Sequence, residues 1–499
     1  MFQTLLDTFF TNLRSGWVWI TLTAIVFASR WALSFISTDT RKGPPQIRHT
    51  VPFIGHALKL AKDKRAFFMN ALKENNHQPF WIVVAGRRHY VFSDLADAAA
   101  IHKNENGISI RNIKSFLYTH IFGVSKSDAD LIWDVNQEAY TIDRRWLLGN
   151  EEQAEMSSQY FENIDRHMKE MARRVQGSKG KEILIDGLLT VVELEGVSTI
   201  QTFYGDTTLR KHPQIIEDMM YVVTTGYRTI LFGVPKLLAP KPYAARDRII
   251  SAFAELAEEL DQRNDVSGYF QERYTYINSR GVSRNVIGAD MFRHLFASLL
   301  NSLPTTYLAL IHILQSEALL QAIRQELTAA GYDKLSPAQR VQVLPEKVPL
   351  LRSVWFETLR MHNNLITLRN VDNETQIATR PEWTLPKGAV VSVPAALIHY
   401  NGTLHPDPDV FQPNRFMDKN LGGQGESPNR TLKPFGGGSS YCPGRVFGEK
   451  QLMGFVAELL MRFDVELVEK DFAVPPVSDF DDLWKRPRSH WKLRERMQT

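Results

Sequence analysis

The chain contains 499 residues, of which 43% are hydrophobic and 23% are charged, and its net charge is +4. This composition is typical of a large globular protein with a sizeable core, and it excludes a low-complexity or disordered chain. Because the charge is small and no run of Lys and Arg carries interleaved aromatic residues, we expect no nucleic acid among its partners. The single cysteine, Cys442, excludes an intramolecular disulfide and a structural zinc site built from several cysteines.

An apolar segment near the N-terminus predicts a membrane anchor within residues 1–37. From Trp17 to Ile36 the only charged residue is Arg30, and a helix of this length reaches roughly 30 Å, the thickness of the hydrocarbon layer. A helix that is buried or that lies on a membrane surface is the alternative. More basic residues follow the segment than precede it, so we expect one span with the rest of the chain on the cytosolic side.

Residues 38–55 form a proline-rich hinge that includes GPPQIRHTVPFIG, and this composition predicts a stiff tether. Beyond it, FWIVVAGRRHYVFSD predicts a hairpin of two strands with its turn at Ala85 and Gly86. Helical patterns then dominate to about residue 360, and strand patterns return in IATRPEWTLPKGAVVSVP. We therefore expect residues 56–499 to form one domain that is mainly α with a small β region.

Residues 291–314, MFRHLFASLLNSLPTTYLALIHIL, predict a long apolar helix. Pro304 has no N–H to bond the carbonyl of Leu300 and its ring clashes with that carbonyl, so we expect the helix to bend there. The released carbonyl is an acceptor for a water or a substrate hydroxyl. Asn301 and Ser302 lie beside this position and are candidate polar site residues. The alternative is that Asn301 only satisfies the bend.

Glu357 and Arg360 in WFETLR are three residues apart, so they share one helix face and can form a charge-assisted hydrogen bond. Such a pair is commonplace on solvated helices. By itself it therefore indicates no function.

The segment LKPFGGGSSYCPGRVFGEKQ places Cys442 between a glycine-rich loop and a predicted helix. Pro443 suits a helix start, where unpaired N–H groups and the helix dipole favour a thiolate over a thiol. A thiolate is a metal ligand or a nucleophile, and the glycines allow a large flat group to approach the backbone. The spacing matches neither a phosphate-binding loop nor a dinucleotide fingerprint, and sequence alone pairs Cys442 with no catalytic histidine. An inert buried cysteine is the alternative.

The cysteine segment resembles the haem-ligand signature of the cytochrome P450 superfamily. The matching positions are Phe435-x-x-Gly438-x-x-x-Cys442-x-Gly444, and CPGR is a common form of its end. WFETLR and the later FQPNRF resemble two further motifs of the same superfamily and occur in the expected order. The resemblance implies the cytochrome P450 fold and haem b as cofactor, with Cys442 as the axial ligand of the iron.

The resemblance also assigns roles to four charged residues. It implies a buried structural network of Glu357, Arg360 and Arg415 that holds the haem-binding loop. Arg369 lies where the family often binds a haem propionate, and an ordinary surface arginine is the alternative.

The hinge resembles the one that follows the anchor in microsomal members, which implies a location in the endoplasmic reticulum membrane.

The long helix departs from the family pattern. Many members carry an acidic residue and an alcohol that deliver protons to bound dioxygen, at positions where this chain has Leu300 and Asn301. FASLLNSLPTT instead resembles the branch that contains sterol 7-alpha- and 12-alpha-hydroxylases and prostacyclin synthase. One half of that branch inserts oxygen with electrons from outside, and the other rearranges a peroxide without them. In either reaction Asn301, together with Ser302, would serve the oxygen or the substrate.

The resemblance therefore implies a membrane-anchored haem-thiolate monooxygenase of secondary metabolism. It would insert one oxygen atom from dioxygen into an apolar, polycyclic substrate such as a steroid, a terpenoid or another natural product. No segment resembles a fused flavin domain, so the electrons of NADPH are expected to arrive through a separate flavoprotein reductase. The alternatives are a peroxide isomerase or dehydratase that needs no reductase, and a non-catalytic haem-binding protein.

Overall fold

The computed structural model describes residues 19–26, 28–29, 43–49, 51, 54–104, 107–363, 365–417, 431–474, 480–486 and 488–496. The chain forms two compact units, Met1–Ile110 with Ile366–Leu397, and Arg111–Leu365 with Ile398–Thr499. Residues 56–110 and 366–397 belong to the first unit and the remainder of residues 56–499 to the second. That residues 56–499 form one catalytic domain remains a prediction.

The helices within the described ranges are α1 (Ala57–Lys62), α2 (Lys64–Glu74), α3 (Leu95–Lys103), α4 (Arg111–His120), α5 (Lys126–Leu148), α6 (Glu151–Gly177), α7 (Gly187–Val191), α8 (Val197–Tyr204), α9 (Asp206–Lys211), α10 (Ile215–Tyr221), α11 (Tyr227–Leu231), α12 (Pro240–Glu259), α13 (Gly268–Ser279), α14 (Arg284–Leu314), α15 (Glu317–Ala329), α16 (Pro337–Lys347), α17 (Pro349–His362), α18 (Ala395–His399), α19 (Arg445–Arg462) and α20 (Phe480–Lys485). The strands are β1 (Phe80–Val84), β2 (Arg87–Val91), β3 (Ile108–Ser109), β4 (Glu182–Asp186), β5 (Ile366–Val371), β6 (Thr375–Ile377), β7 (Arg380–Leu385), β8 (Val390–Pro394), β9 (Phe463–Leu467) and β10 (His490–Glu495). Short π-helical turns, Val192–Gly196 and Val222–Gly226, join α7 to α8 and α10 to α11.

The first unit is built on a five-stranded sheet with the order β1-β2-β8-β5-β3. The predicted hairpin is present as β1 and β2, and its turn residues Ala85 and Gly86 have φ of 49° and 75°. Positive φ at both turn positions matches the right-handed twist of the strands, which explains the short connection. Side chains of α2 pack on the buried face of this sheet around Phe80 and Ile82.

The described part of the proline-rich hinge is held on the sheet. The N–H of Ile47 donates to the carbonyl of Trp81, and the N–H of Trp81 donates to the carbonyl of Pro45, both at 2.9 Å. The ring of His56 lies 3.1 Å from the carbonyl of Arg48 and 3.3 Å from that of Val83. This segment is thus fastened along β1.

The predicted membrane anchor lies largely outside the described residues. Its described part, residues 19–26 and 28–29, is helical, and the large apolar side chains of residues 19–26 are exposed. Among the described residues, the helix with the length and apolar composition to cross a membrane is α14. Half of its most apolar stretch is buried inside the protein, as expected of a core helix.

Helix α14 runs through the second unit and packs against α12, α17 and α19. Gly288 permits the contact with α12, because a Cβ there would lie 2.5 Å from the carbonyl oxygen of Ile250. The helix continues through Pro304. The hydroxyl of the next residue, Thr305, donates to the carbonyl of Asn301 at 2.6 Å, which satisfies an acceptor beside the proline.

Buried charges fix the N-terminal half of α14. The carboxylate of Asp290 accepts from the phenol of Tyr118 at 2.5 Å, from Nε of Arg293 at 2.7 Å and from the phenol of Tyr274 at 3.2 Å. The nearby guanidinium charges of Arg293 and Arg273 favour the ionised form of Asp290, whose pKa is held well below its usual range despite burial. These contacts tie α14 to α4 and α13.

A second buried network is centred on Glu357 in α17. Its carboxylate accepts two bonds of 2.8 Å from Arg360, bonds of 3.0 and 3.1 Å from Nε of Arg415, and one of 2.9 Å from the N–H of Gln412. The three charged side chains are buried. The other guanidinium donors reach the backbone carbonyls of His399, Pro406, Asp407, Pro408 and Val410. Pairing of this kind offsets the cost of burying the charges.

The network extends to the segment that leads into the cysteine loop. Nδ1–H of His399 donates to the carbonyl of Arg360 at 3.2 Å, and Nε2 of the same ring accepts from the N–H of Lys433 at 2.9 Å. Burial lowers the pKa of His399 to about 3, so the ring is neutral and can accept at Nε2. The amide of Asn363 donates to the carbonyl of Pro434 at 3.3 Å. The end of α17 therefore sets where the loop begins.

Replacing Glu357 by Gln should lower the free energy of unfolding by about 3–5 kcal/mol, because two buried guanidinium groups lose their countercharge. Urea unfolding followed by tryptophan fluorescence measures the change. The matched control is Glu170→Gln, which breaks an ion pair of the same i,i+3 spacing with Arg173 on the exposed face of α6. That variant should be nearly as stable as the parent. Equal destabilisation by both substitutions would contradict a stabilising role for the network.

Candidate active site

A glycine turn presents Cys442 at the start of α19. Gly436 and Gly438 have φ of 74° and 65°, in the left-handed region that favours glycine. The N–H of Cys442 donates to the carbonyl of Phe435 at 3.1 Å, which closes the loop. Because α19 begins at Arg445, the structure places Cys442 at a helix N-terminus.

The surroundings of the Cys442 sulfur act on its charge in opposite directions. Burial is the largest effect and raises the pKa of the thiol. Hydrogen bonds from the backbone N–H groups of Gly444 and Arg445, and the charges of Arg445 and Lys114, lower the pKa but do not cancel the effect of burial. The donors at the helix N-terminus thus act in the expected direction, and burial opposes them. A metal ion bound to the sulfur reverses this balance, since a coordinated thiol is deprotonated.

These residues fit the requirements of a haem-iron ligand. A thiolate ligand is tuned by hydrogen-bond donors at the sulfur, and the N–H groups of Gly444 and Arg445 provide two. A Cβ on Gly444 would stand 3.9 Å from the sulfur, so glycine keeps this side of it clear. Phe435 is partly buried beside Trp355, with ring centroids 6.3 Å apart, and the exposed Gly438 leaves the loop open.

Two cations near the sulfur are suited to the carboxylates of a haem. Arg445 follows the cysteine in α19, and Lys114 of α4 is close enough to act on the thiol pKa. The ammonium group of Lys114 also lies 5.1 Å from the ring centroid of Trp133. Sequence reasoning missed Lys114, because nothing in its own segment distinguishes it from a surface lysine.

One face of α14 is open, although most of the helix is buried. Ala297 and Asn301 are exposed and Thr305 is half-buried, at the four-residue spacing that keeps side chains on one face. Leu299 and Leu303 are buried on other sides of the helix. Within the part of the chain that the structure describes, the Asn301 side chain has no hydrogen-bond partner. Its amide therefore offers donors and an acceptor to this face.

Ser302 points in a different direction from Asn301. It lies about 100° around the helix, and its hydroxyl donates to the carbonyl of Ser298 at 2.6 Å. Its polar neighbour on the adjoining element is the carboxyl group of Glu195. The structure thus does not bring the two predicted residues of α14 to one site. Sequence reasoning missed Glu195, because a glutamate in a helical segment is usually solvated.

An aromatic cluster lies on another side of α14, toward its N-terminus, and its phenylalanine rings are buried. Phe292 and Phe296 are one turn apart, and the ring of Phe122 lies 5.3 and 5.8 Å from theirs, in edge-on contact. Tyr227 of α11 adds a contact of 6.1 Å to Phe296. The spacing of Phe292 and Phe296 is visible in the sequence, but their partners lie in other segments.

Arg369 belongs to the first unit. It lies in β5, is buried, and donates from Nη1 to the carbonyl of Leu368 at 3.0 Å. Burial lowers the pKa of its guanidinium. Because the side chain is buried, it is not an ordinary surface arginine, and a bond to a propionate remains a prediction.

Comparison with known proteins identifies the family of this chain. The family model for Cytochrome P450 matches residues 44–490. Cytochrome P450 monooxygenase poxD of Penicillium oxalicum is 45% identical over 95% of this chain and 98% of its own length. The 5-beta-cholestane-3-alpha,7-alpha-diol 12-alpha-hydroxylase of Sus scrofa is 24% identical over 87% of this chain and 88% of its own. Prostacyclin synthase of Rattus norvegicus is 23% identical over 87% of this chain and 89% of its own.

A solved structure shares the fold. Retinoic acid bound cyanobacterial CYP120A1 superposes with a TM-score of 0.70 at 18% identity, covering 92% of this chain and 100% of that one. The predicted fold, mainly α with small sheets, is confirmed. The predicted branch is confirmed as well, since relatives include both a sterol 12-alpha-hydroxylase and a prostacyclin synthase. The chain therefore belongs to the cytochrome P450 family, whose cofactor is haem, and it is a monooxygenase of that family.

Proposed function

We propose that this protein inserts one oxygen atom from dioxygen into an apolar, polycyclic substrate such as a steroid, a terpenoid or another natural product. Its electrons come from NADPH through a separate flavoprotein reductase. The observation that carries the proposal is the open face of α14, which presents the Asn301 amide between exposed Ala297 and half-buried Thr305. A relative that is named for a steroid substrate supports the same substrate class.

Cys442 and Asn301 have separate tasks in this reaction. When haem is bound, it activates dioxygen, and electron donation from a cysteine ligand favours cleavage of the O–O bond. Cys442 holds the iron, and the N–H groups of Gly444 and Arg445 keep the sulfur in place. The Asn301 side chain donates from Nδ2 and accepts at Oδ1. It can therefore hold a water or a substrate hydroxyl at a fixed position on the open face.

The setting of Asn301 suits an apolar substrate. Sites for such substrates depend on few polar groups for orientation, and on the open face of α14 the Asn301 amide is such a group.

Incubation of the full chain with a flavoprotein reductase, NADPH, a steroid and terpenoid mixture and isotopically labelled dioxygen should give a product with one labelled oxygen. Mass spectrometry detects it, and Cys442→Ala should form none because the iron loses its ligand. Consumption of a hydroperoxide without label or NADPH would indicate an isomerase or dehydratase. Reversible ligand binding without turnover would indicate a carrier, and either result would overturn the proposal.

Asn301→Ala should reduce the product formed per NADPH by about tenfold, because the fixed polar group at the open face is lost. Hydrogen peroxide should rise in proportion, and both yields are measured in the same incubation. The matched control is Thr305→Val on the same face, since that hydroxyl is already bonded to the carbonyl of Asn301. Equal losses in the two variants would assign Asn301 to helix structure alone.

We also propose a single-pass location in the endoplasmic reticulum membrane with the enzyme on the cytosolic side. The exposed apolar residues in positions 19–26 support an anchor. A second support comes from the loop between α11 and α12, where Phe232, Leu237 and Leu238 are 76%, 90% and 75% exposed. Three large apolar side chains so close together in one exposed loop are typical of a surface that contacts a membrane.

A tryptophan at position 232 should report this contact. In full-length protein bound to vesicles, Phe232→Trp should add fluorescence that brominated lipid quenches, relative to the parent chain. Val410→Trp is the matched control, because its side chain is also exposed, at 54%, and the residue before it, Asp409, is exposed and acidic. Equal quenching of the two added signals would argue against contact between the loop and the membrane.

A further inference from the structure

Glu195 is a buried acid that the proposed reaction has not used. It lies in the π-helical turn Val192–Gly196, which packs on α14, and its side chain is fully buried. Within the described residues, neither carboxyl oxygen completes a hydrogen bond. A buried carboxyl group without a partner is costly. Turns of π-helix are often found at functional sites.

The groups that face Glu195 are hydroxyls. Ser302 and Thr306 of α14 are close enough to lower its pKa, and the hydroxyl of Thr306 is itself buried without a hydrogen-bond partner in the described chain. From α6, the phenol of Tyr160 is also buried and unpaired within those residues, and the charge of Glu195 raises its pKa. Glu458 contributes to the same rise in Tyr160. No cation is among the groups that shift the pKa of Glu195.

The turn is fixed in place from the side of α19. The hydroxyl of Thr199 donates to the carbonyl of Glu195 at 2.7 Å, and Nε2 of Gln451 donates to the Thr199 hydroxyl at 2.7 Å. Both of these side chains are buried. The position of Glu195 relative to α14 is therefore set by a hydrogen-bonded chain from the helix that follows Cys442.

Burial decides the charge of Glu195. It raises the pKa to about 8, and the hydroxyls of Thr306 and Ser302 offset only part of the rise. Near neutral pH the group therefore keeps its proton in much of the population. A protonated carboxyl group can donate a proton to a neighbouring hydroxyl and take one back from water, which an ionised or permanently paired carboxylate cannot do.

We propose that Glu195 supplies a proton to the reaction on the far side of α14, through the hydroxyls of Ser302 and Thr306. It replaces the acidic residue that α14 itself lacks, since Leu300 and Asn301 stand where an acid and an alcohol are expected. Glu195 is a positioning residue in this scheme, because it acts only through those hydroxyls. The inference rests on the proposed monooxygenase function.

The proton balance of the proposed step is simple. Insertion of one oxygen atom takes up two electrons and two protons, and the second oxygen leaves as water. The electrons come from NADPH through the reductase. Glu195 gives one of the two protons to a hydroxyl of α14, that hydroxyl gives its own proton through water to the oxygen atom that leaves as water, and the carboxylate is protonated again from solvent before the next turnover. The second proton also comes from solvent. Pro304 lacks an N–H, so the carbonyl of Leu300 is left without its helical donor and can accept a water.

The test compares Glu195→Gln with Glu193→Gln in the full chain loaded with haem. Glu193 lies in the same π-helical turn but is exposed, and Gln keeps the shape of both side chains. Glu195→Gln should lower the product formed per NADPH by about tenfold and release more peroxide. It should also change the solvent isotope effect on product formation, whereas Glu193→Gln should match the parent in all three measurements. Glu195→Asp should restore part of the coupling.

A second readout does not depend on turnover. Because the pKa of Glu195 is raised from 4.5 to about 8 on folding, its contribution to stability is present below pH 4.5 and is lost as the pH rises through about 8. Glu195→Gln removes this dependence. The unfolding temperature of the variant, measured relative to that of the parent, should therefore increase as the pH rises from 5 to about 8. An infrared difference spectrum should show a protonated carboxyl band that is present in the parent and absent in the variant.

Three outcomes are decisive. Labelled product from the parent, with reduced coupling and an altered isotope effect in Glu195→Gln, supports the inference. Labelled product with unchanged coupling in Glu195→Gln overturns the inference and leaves the proposed function intact. Absence of labelled product from the parent overturns both.

Discussion

The carboxylate of Glu357, held between two arginines, is the interaction on which the rest of the site depends. One negative and two positive charges share a volume without solvent, and the excess positive charge is balanced by backbone carbonyls from the segment between His399 and Val410. That segment has little regular structure, so its position comes from these bonds. Through the neutral ring of His399, the same network reaches Lys433 and the loop that carries Cys442. The ion-paired carboxylate of Glu357 thus helps to position Cys442, the only cysteine of the sequence.

The surroundings of Cys442 suit a thiol that ionises when it binds a metal ion and not a free thiolate nucleophile. Two N–H donors and two cations favour its ionised form, yet burial is the larger effect and keeps the proton on the sulfur of the isolated protein. Bound iron adds the positive charge that these groups lack. The surroundings of Cys442 therefore couple its ionisation to the arrival of the cofactor, which a solvent-exposed cysteine at a helix N-terminus would not do.

Structural features that depend only on residues adjacent in the sequence could be predicted. The hairpin follows from the turn at Ala85 and Gly86, and the cysteine loop follows from its glycines and the helix after them, since both depend on local backbone preferences. Contacts between distant segments could not be predicted. Lys114 near the sulfur and Glu195 behind α14 look like surface residues in their own segments, and only packing reveals their surroundings. The local argument for a thiolate was right about the donors and incomplete about burial, which is a property of the folded chain.

Helix α14 has Leu300 and Asn301 where an acidic residue and an alcohol are expected, but it retains polar groups at neighbouring positions. Its open face keeps one amide, Asn301, beside exposed Ala297 and half-buried Thr305. Its other side keeps hydroxyls at Ser302 and Thr306 that face an acid from another element. Pro304, between these hydroxyls, removes an N–H from the helix and leaves a carbonyl that can bond elsewhere. If Glu195 acts as proposed, a proton crosses α14 in this turn, where polar groups lie on two sides and the proline removes one helical hydrogen bond.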